Sequence, residues 1–162
     1  MLILGVDPGT ARLGWGIVVD KNHQQKAGDY GCLETKKTLP ESKRLLTLFT
    51  GLTQLCRRLR PDAVAVEDLF FFKNHKTVIK VSQARGVVLV VAELLNLPVF
   101  SYTPLQIKQA VTGYGRAEKI QVQQMVKSIL NLTAIPRPDD AADALAVALT
   151  HAFSSRMKSK LG

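Results

Sequence analysis

The chain has 162 residues, 46% hydrophobic and 22% charged, a balance that suits one globular domain with a full core. Lys and Arg number 22 against 13 Asp and Glu, a formal charge of +9, which favours a polyanionic partner, nucleic acid ahead of an acidic membrane. The most apolar run, Gly86 to Ala92, falls far short of the ~20 residues of a membrane span, and Cys32 and Cys56 have neither metal-ligand nor redox spacing. Asp7 interrupts the apolar start too early for a signal peptide, so a cytoplasmic protein with reduced thiols is expected.

Leu2, Ile3, Leu4 and Val6 form a short apolar run, the mark of a strand buried on both faces, which Asp7 ends and Pro8-Gly9 turns. A carboxylate at the mouth of a buried strand is costly unless something cationic meets it. Asp7 either caps the Pro-Gly turn or joins other acids in space. Trp15 to Asp20 and about Gly28 to Thr35 read as two further strands, joined by the turn Lys21-Asn22-His23-Gln24 into an antiparallel meander.

Thr38-Leu39-Pro40-Glu41 has capping-box spacing, and behind it Leu45, Leu48, Phe49, Leu52, Leu55, Cys56 and Leu59 keep one helical face apolar. Arg57, Arg58 and Arg60 suit the negative end of that helix and Pro61 stops it, which is a sufficient structural use for three arginines. Asp62 to Asp68 reads as a fourth strand, central because Ala63 to Val66 is apolar on both faces. Thr77 to Leu95 is a helix, apolar nearly all round after Gly86, with one side for the sheet and another for a partner subunit.

Pro98 to Tyr102 is the fifth strand, and Thr103-Pro104-Leu105-Gln106 opens a short helix with capping-box spacing and Pro at its first position. After the Gly113-Tyr114-Gly115 break, a helix carries Val122, Met125, Val126, Ile129 and Leu130 on one side. Pro136 and Pro138 interrupt, and a last helix is expected from about Asp139 to Phe153, followed by a basic, flexible tail. The expected fold class is α/β, a mixed five-stranded sheet flanked by helices, with residues 1–162 as a single domain.

Glu67 ends the fourth strand as Asp7 ends the first, so neighbouring strands would bring both carboxylates to one edge of the sheet. Asp68 should alternate away. On the last helix Asp140 and Asp143 share a face one turn apart, while Asp139 points away as the natural N-cap. Asp143 lies within Ala141, Ala142, Ala144 and Leu145, and small residues let a helix carry it close against a sheet. Converging acids cannot all stay ionised without raised pKa values or a divalent cation, and hard oxygen ligands select Mg²⁺ or Mn²⁺. A basic surface that holds nucleic acid and an acidic pocket that holds the metals form a coherent pair.

Gly5-Val6-Asp7-Pro8-Gly9, Val66-Glu67-Asp68-Leu69-Phe70 with Lys73-Asn74, Gln83-Ala84-Arg85-Gly86, and Asp140-Ala141-Ala142-Asp143-Ala144-Leu145-Ala146 together resemble the RuvC family of Holliday-junction resolvases, in order along the whole chain. The resemblance implies an RNase H-like fold, a homodimer, and Mg²⁺-dependent paired nicking of four-way DNA junctions, with branch-migration proteins as possible companions. It places the metal-binding catalytic acids on Asp7, Glu67, Asp140 and Asp143, and a base-stacking wedge on Phe70. It matches Lys108 and Lys119 to basic positions beside the site.

Phe71 and Phe72 are read as core or dimer packing. Arg116 and Lys119 oppose the dipole at a helix start, a conflict that a bound phosphate removes. Lys73, Lys76, Lys80 and Arg85 make a second basic stretch, of which Arg85 is taken as a DNA contact. His23 and His151 are surface or helix-end residues, and His75 a candidate for proton handling near Glu67. Two other classes fit parts of the pattern: a catalytically silent junction binder, and an actin-like phosphotransferase sharing the Asp7-Pro8-Gly9-Thr10 loop, which would need two such domains. A nuclease acting on other branched or hybrid nucleic acid is the nearest relative of the main reading.

Overall fold

The structure is a computed structural model that describes residues 1–22, 24–68 and 75–161, the side chains of 75–77 and 157–161 excepted. Phe70, Phe71, Phe72, Lys73 and His23, with the side chains of His75 and Lys76, therefore lie outside what is described below. The elements follow one another as β1 (Leu2–Asp7), β2 (Arg12–Lys21), β3 (Gln24–Glu34), α1 (Glu41–Leu59), β4 (Ala63–Glu67), α2 (His75–Leu94), β5 (Val99–Tyr102), α3 (Pro104–Thr112), α4 (Lys119–Ile129) and α5 (Asp139–Leu161).

The strands form one mixed sheet in the order β3-β2-β1-β4-β5. The first three pair as the expected antiparallel meander, and β4 and β5 then add in parallel. β1 is thus central, and because helices cover both faces of the sheet its apolar run is continuous rather than alternating. Period-two alternation sorts the side chains of the central strands between two cores. Ile3, Val18 and Ala65 face one layer with Ile107, Val126, Leu145 and Leu149 of α3, α4 and α5. Leu4, Val6, Trp15, Val64 and Val66 face the other with Leu48 and Leu52 of α1 and Val88 and Val91 of α2.

The same alternation determines where the strand-end acids point. Asp7 is two residues from Gly5 and four from Ile3, and Glu67 two from Ala65, so both belong to the face covered by α5. Helix α5 lies against that face at backbone distance. A Cβ on Gly5 would stand 1.9 Å from the Ala144 carbonyl oxygen, and one on Gly14 2.1 Å from that of Asp140. The alanines of α5 complete the fit, Ala141, Ala144 and Ala148 all being inaccessible to solvent.

Several sequence expectations change here. Strands β2 and β3 begin three to four residues earlier than the patterning suggests, because hairpin pairing extends past the apolar stretch at both ends, to Arg12↔Glu34 and to Lys21↔Gln24. The capping box expected at Thr38 does not form: Pro40 is the N-cap of α1, with no side-chain cap bond. The one expected at Thr103 does form, with the Thr103 N–H donating to Gln106 Oε1 (2.8 Å) and the Gln106 N–H to Thr103 Oγ1 (3.3 Å). Helix α5 continues to Leu161, beyond the expected end at Phe153. Its continuation is tied to β2 by Arg156, whose Nε donates to Asp20 Oδ2 at 3.2 Å. Cys32 and Cys56 are free thiols, and among the described residues no helix is long and apolar enough to cross a membrane.

Candidate active site

The parallel register Val6↔Val66 carries β1 and β4 out of the sheet side by side, so Asp7 and Glu67 emerge as neighbours. Their carboxyl groups are hydrogen-bonded to each other. Asp7 is pushed up to about 8 from an ordinary value of 3.8, by burial first and then by the charges of Glu67, Asp143 and Asp140. The rise favours a proton held within the Asp7–Glu67 pair. Glu67 is itself raised, burial leading and the Asp143 charge next, with the bond from Asp7 opposing.

Helix α5 supplies the other two acids through its first turns, held down by the contact at Gly14. Each is gripped by a cation from a different element. Lys119, the first residue of α4, donates from Nζ to Asp143 Oδ2 at 2.7 Å. Asp143 is raised in pKa, burial being the main cause and Lys119 the chief opposing one. Arg12, at the start of β2, places Nη1 3.8 Å from Asp140 Oδ2 and Nε 3.4 Å from Glu34. The carboxylates are thus satisfied in three separate pairs: Asp7 with Glu67, Asp143 with Lys119, Asp140 with Arg12. Among the described residues, no three acidic, His or Cys side chains form a ready-made ion cage.

The donor set nevertheless fits a hard divalent ion. All four groups offer carboxylate oxygens, and the raised Asp7 registers surplus negative charge that a cation would relieve. Beside the acids opens a cavity of about 190 Å³ between α3, α4 and α5, lined by Glu67, Lys108, Lys119 and Asp143 with Ile107, Val122 and Val147 as its apolar wall. Lys108 acts on Glu67 through space, opposing the rise in its pKa. Arg116 is exposed just ahead of α4. The conflict between Lys119 and the α4 dipole is resolved by Asp143.

Two expected placements differ, those of Arg85 and Asp139. Arg85 is turned inward, its Nη2 donating to Ser101 Oγ (2.9 Å) and lying 3.3 Å from Asp68, because a half-buried guanidinium beneath α2 needs partners there. Asp68 does turn away from Asp7, toward that arginine. Asp139 stands within the first turn of α5 rather than ahead of it as the N-cap, bonded to Arg137 and 3.9 Å from Lys119. Sequence reasoning missed Arg12. Its link to the site follows from the cross-strand register Arg12↔Glu34 and the approach of α5 over Gly14, neither of which leaves a local sequence signal.

The family model described as "Crossover junction endodeoxyribonuclease RuvC" matches residues 3–151. Proteins of that name from Caldicellulosiruptor saccharolyticus and Rubrobacter xylanophilus are each 53% identical to the chain, over 96% of it and 94% of the former protein, and over 99% of it and 90% of the latter. The structure of Thermus thermophilus RuvC in complex with Holliday junction substrate superposes with a TM-score of 0.92 at 41% identity, covering 98% of this chain and 97% of that one. The sheet order and the placement of α5 are accordingly RNase H-like, and the chain belongs to the RuvC family of crossover junction endodeoxyribonucleases.

Proposed function

We propose that the chain is a Holliday-junction resolvase: a structure-selective endodeoxyribonuclease that binds four-way DNA junctions in the cytoplasm and nicks two opposed strands symmetrically. Family membership carries divalent-metal dependence with it. The observation that most supports the reading is the convergence of acids from three elements on Asp7, whose pKa is raised by burial first and then by the charges of Glu67 from β4 and of Asp143 and Asp140 from α5.

In this reading Asp7, Glu67, Asp140 and Asp143 hold two Mg²⁺ ions per subunit, with Mn²⁺ able to substitute. Bound there, such ions supply Lewis-acid activation of water and charge stabilisation at the attacking and leaving oxygens of a phosphodiester. The protein's own part is placement. Glycine contacts fix the α5 acids against the strand-end acids. Lys108, Lys119 and Arg116 take the phosphate backbone at the cavity mouth, and the apolar wall of Ile107, Val122 and Val147 limits water behind it. Phe70 stacks on an unpaired base at the open centre of the junction, a contact worth about 1–3 kcal/mol per base. Arg85, whose Nη2 donates to Ser101 Oγ in the DNA-free chain, is the further DNA contact of this reading.

The active form is a homodimer whose two-fold axis matches that of the junction. Helix α2 offers a surface for it: Ile79, Val90 and Leu94 are 57%, 58% and 55% exposed along one face. A Cβ on Gly86, on the same face, would meet nothing within 4 Å, so a second helix can cross there at close range. Branch-migration proteins are the natural further partners of such a dimer.

The test is a synthetic four-way junction incubated with the protein and Mg²⁺. The unaltered chain should nick two opposed strands, and Asp7→Asn should abolish nicking while keeping junction affinity within a few-fold. Cutting that survives in Asp7→Asn contradicts the metal-acid role. Tight binding without nicks by the unaltered chain would instead favour the catalytically silent junction binder.

A further inference from the structure

We propose that Lys119 is an exchangeable counter-ion: its ammonium holds the metal-binding face of Asp143 until a divalent ion arrives, then transfers to a DNA phosphate, so that metal and DNA bind cooperatively through this side chain. The inference rests on the reading of Asp7, Glu67, Asp140 and Asp143 as metal ligands.

The Nζ of Lys119 lies 2.7 Å from Asp143 Oδ2. A charge-assisted bond of that length uses the oxygen that an ion would need, so binding of the two cations to it is competitive. Nothing in α4 itself keeps Lys119 there, because a cation at a helix N-terminus opposes the dipole. Its anionic neighbours are Asp143 and, at 3.9 Å, Asp139. The acids alone hold it. Its side chain is 55% exposed on a flexible four-carbon stem and lines the same cavity as Lys108, so it can swing to the mouth without disturbing α4.

Charge bookkeeping supports the transfer. Four carboxylates face only two cations, Lys119 on Asp143 and Arg12 on Asp140, so the cluster is short of positive charge. Loading two divalent ions onto four ionised carboxylates neutralises them and leaves both basic side chains over. Arg12 keeps Glu34 at 3.4 Å, whereas Lys119 loses its principal partner and is free to take a phosphate oxygen. The arrangement discourages stray metal loading without DNA and strengthens it when a strand enters the cleft.

The experiment measures Mn²⁺ affinity by titration calorimetry at neutral pH, without DNA, for the unaltered protein, Lys119→Met, Lys108→Met and Asp7→Asn, each checked for folding by circular dichroism. Lys119→Met should bind Mn²⁺ roughly three- to tenfold more tightly. Lys108→Met, which removes the same charge from the same cavity but no ion pair, should change affinity by at most about twofold. Adding junction DNA should raise the Mn²⁺ affinity of the unaltered protein by a larger factor than that of Lys119→Met. Unchanged or weaker binding in Lys119→Met overturns the proposal, as does equal tightening in Lys108→Met, which would reduce the effect to a diffuse field. Asp7→Asn separates the two readings: undiminished Mn²⁺ binding there removes the metal site itself, whereas its loss beside an unaltered Lys119→Met removes only the exchange.

Discussion

Asp7 concentrates the electrostatics of this molecule in one carboxyl group. An acid whose folded value is raised from 3.8 to about 8 keeps its proton in the native chain over a pH range where the unfolded chain has lost it. Its contribution to stability is complete below about pH 4 and is lost as pH climbs through 8. Asp7→Asn has no proton to lose. In a chelator, its melting temperature should therefore rise relative to the unaltered protein between pH 4 and 8 and then run parallel, by several degrees in all. Parallel curves across the whole range would show that Asp7 is not desolvated among like charges. At this scale, reading from sequence was effective for the acids: Asp7 and Glu67 each end an apolar strand, and Asp143 is embedded in alanines that only close packing explains. It did not reveal the partners of Arg12 and Arg85, which depend on strand register and on which side of α2 is buried.

Helix α5 is the element that converts the sheet into a site. Its acids sit where they do because Gly5 and Gly14 leave no side chain between strand and helix. Gly5→Ala drives a methyl into the Ala144 carbonyl, a backbone atom that cannot step aside, and should cost about 1–3 kcal/mol or more. The measurable signature is double: a lowered denaturation midpoint, and nicking reduced beyond the loss of folded protein, because α5 is lifted with Asp140 and Asp143 on it. Full activity in a folded Gly5→Ala would mean that the close approach does not set the site. Element types were legible throughout, from period-two and helical patterning. Ends were not, because hairpin pairing and the Arg156–Asp20 tie extend β2, β3 and α5 through polar residues that carry no hydrophobic period. The failed cap at Thr38 has a similar origin: Pro40 begins α1 with its own fixed backbone, and the residues ahead of it form a separate turn.

The whole molecule combines a formal charge of +9 with an acidic cleft. Junction affinity should therefore fall steeply with salt, and Lys108→Ala or Arg116→Ala should each lower the slope of log affinity against log salt by roughly one. Binding insensitive to salt would rule out the phosphate contacts. The exposed stripe Ile79, Val90 and Leu94 across Gly86 gives the dimer its most direct test. Val90→Asp should shift sedimentation from dimer to monomer and replace paired nicks by single ones, whereas an unshifted dimer would place the interface elsewhere.

The central claim is that carboxylates distant in sequence gather beside the exit of β1 to share divalent ions. Crystals grown in Mn²⁺ and measured at its absorption edge test it most directly. The account predicts anomalous peaks contacting Asp7 together with Glu67, Asp140 or Asp143, with Lys119 withdrawn from Asp143. Peaks confined to other surfaces, or an intact Lys119–Asp143 bond at saturating Mn²⁺ with no ion beside Asp7, would contradict it.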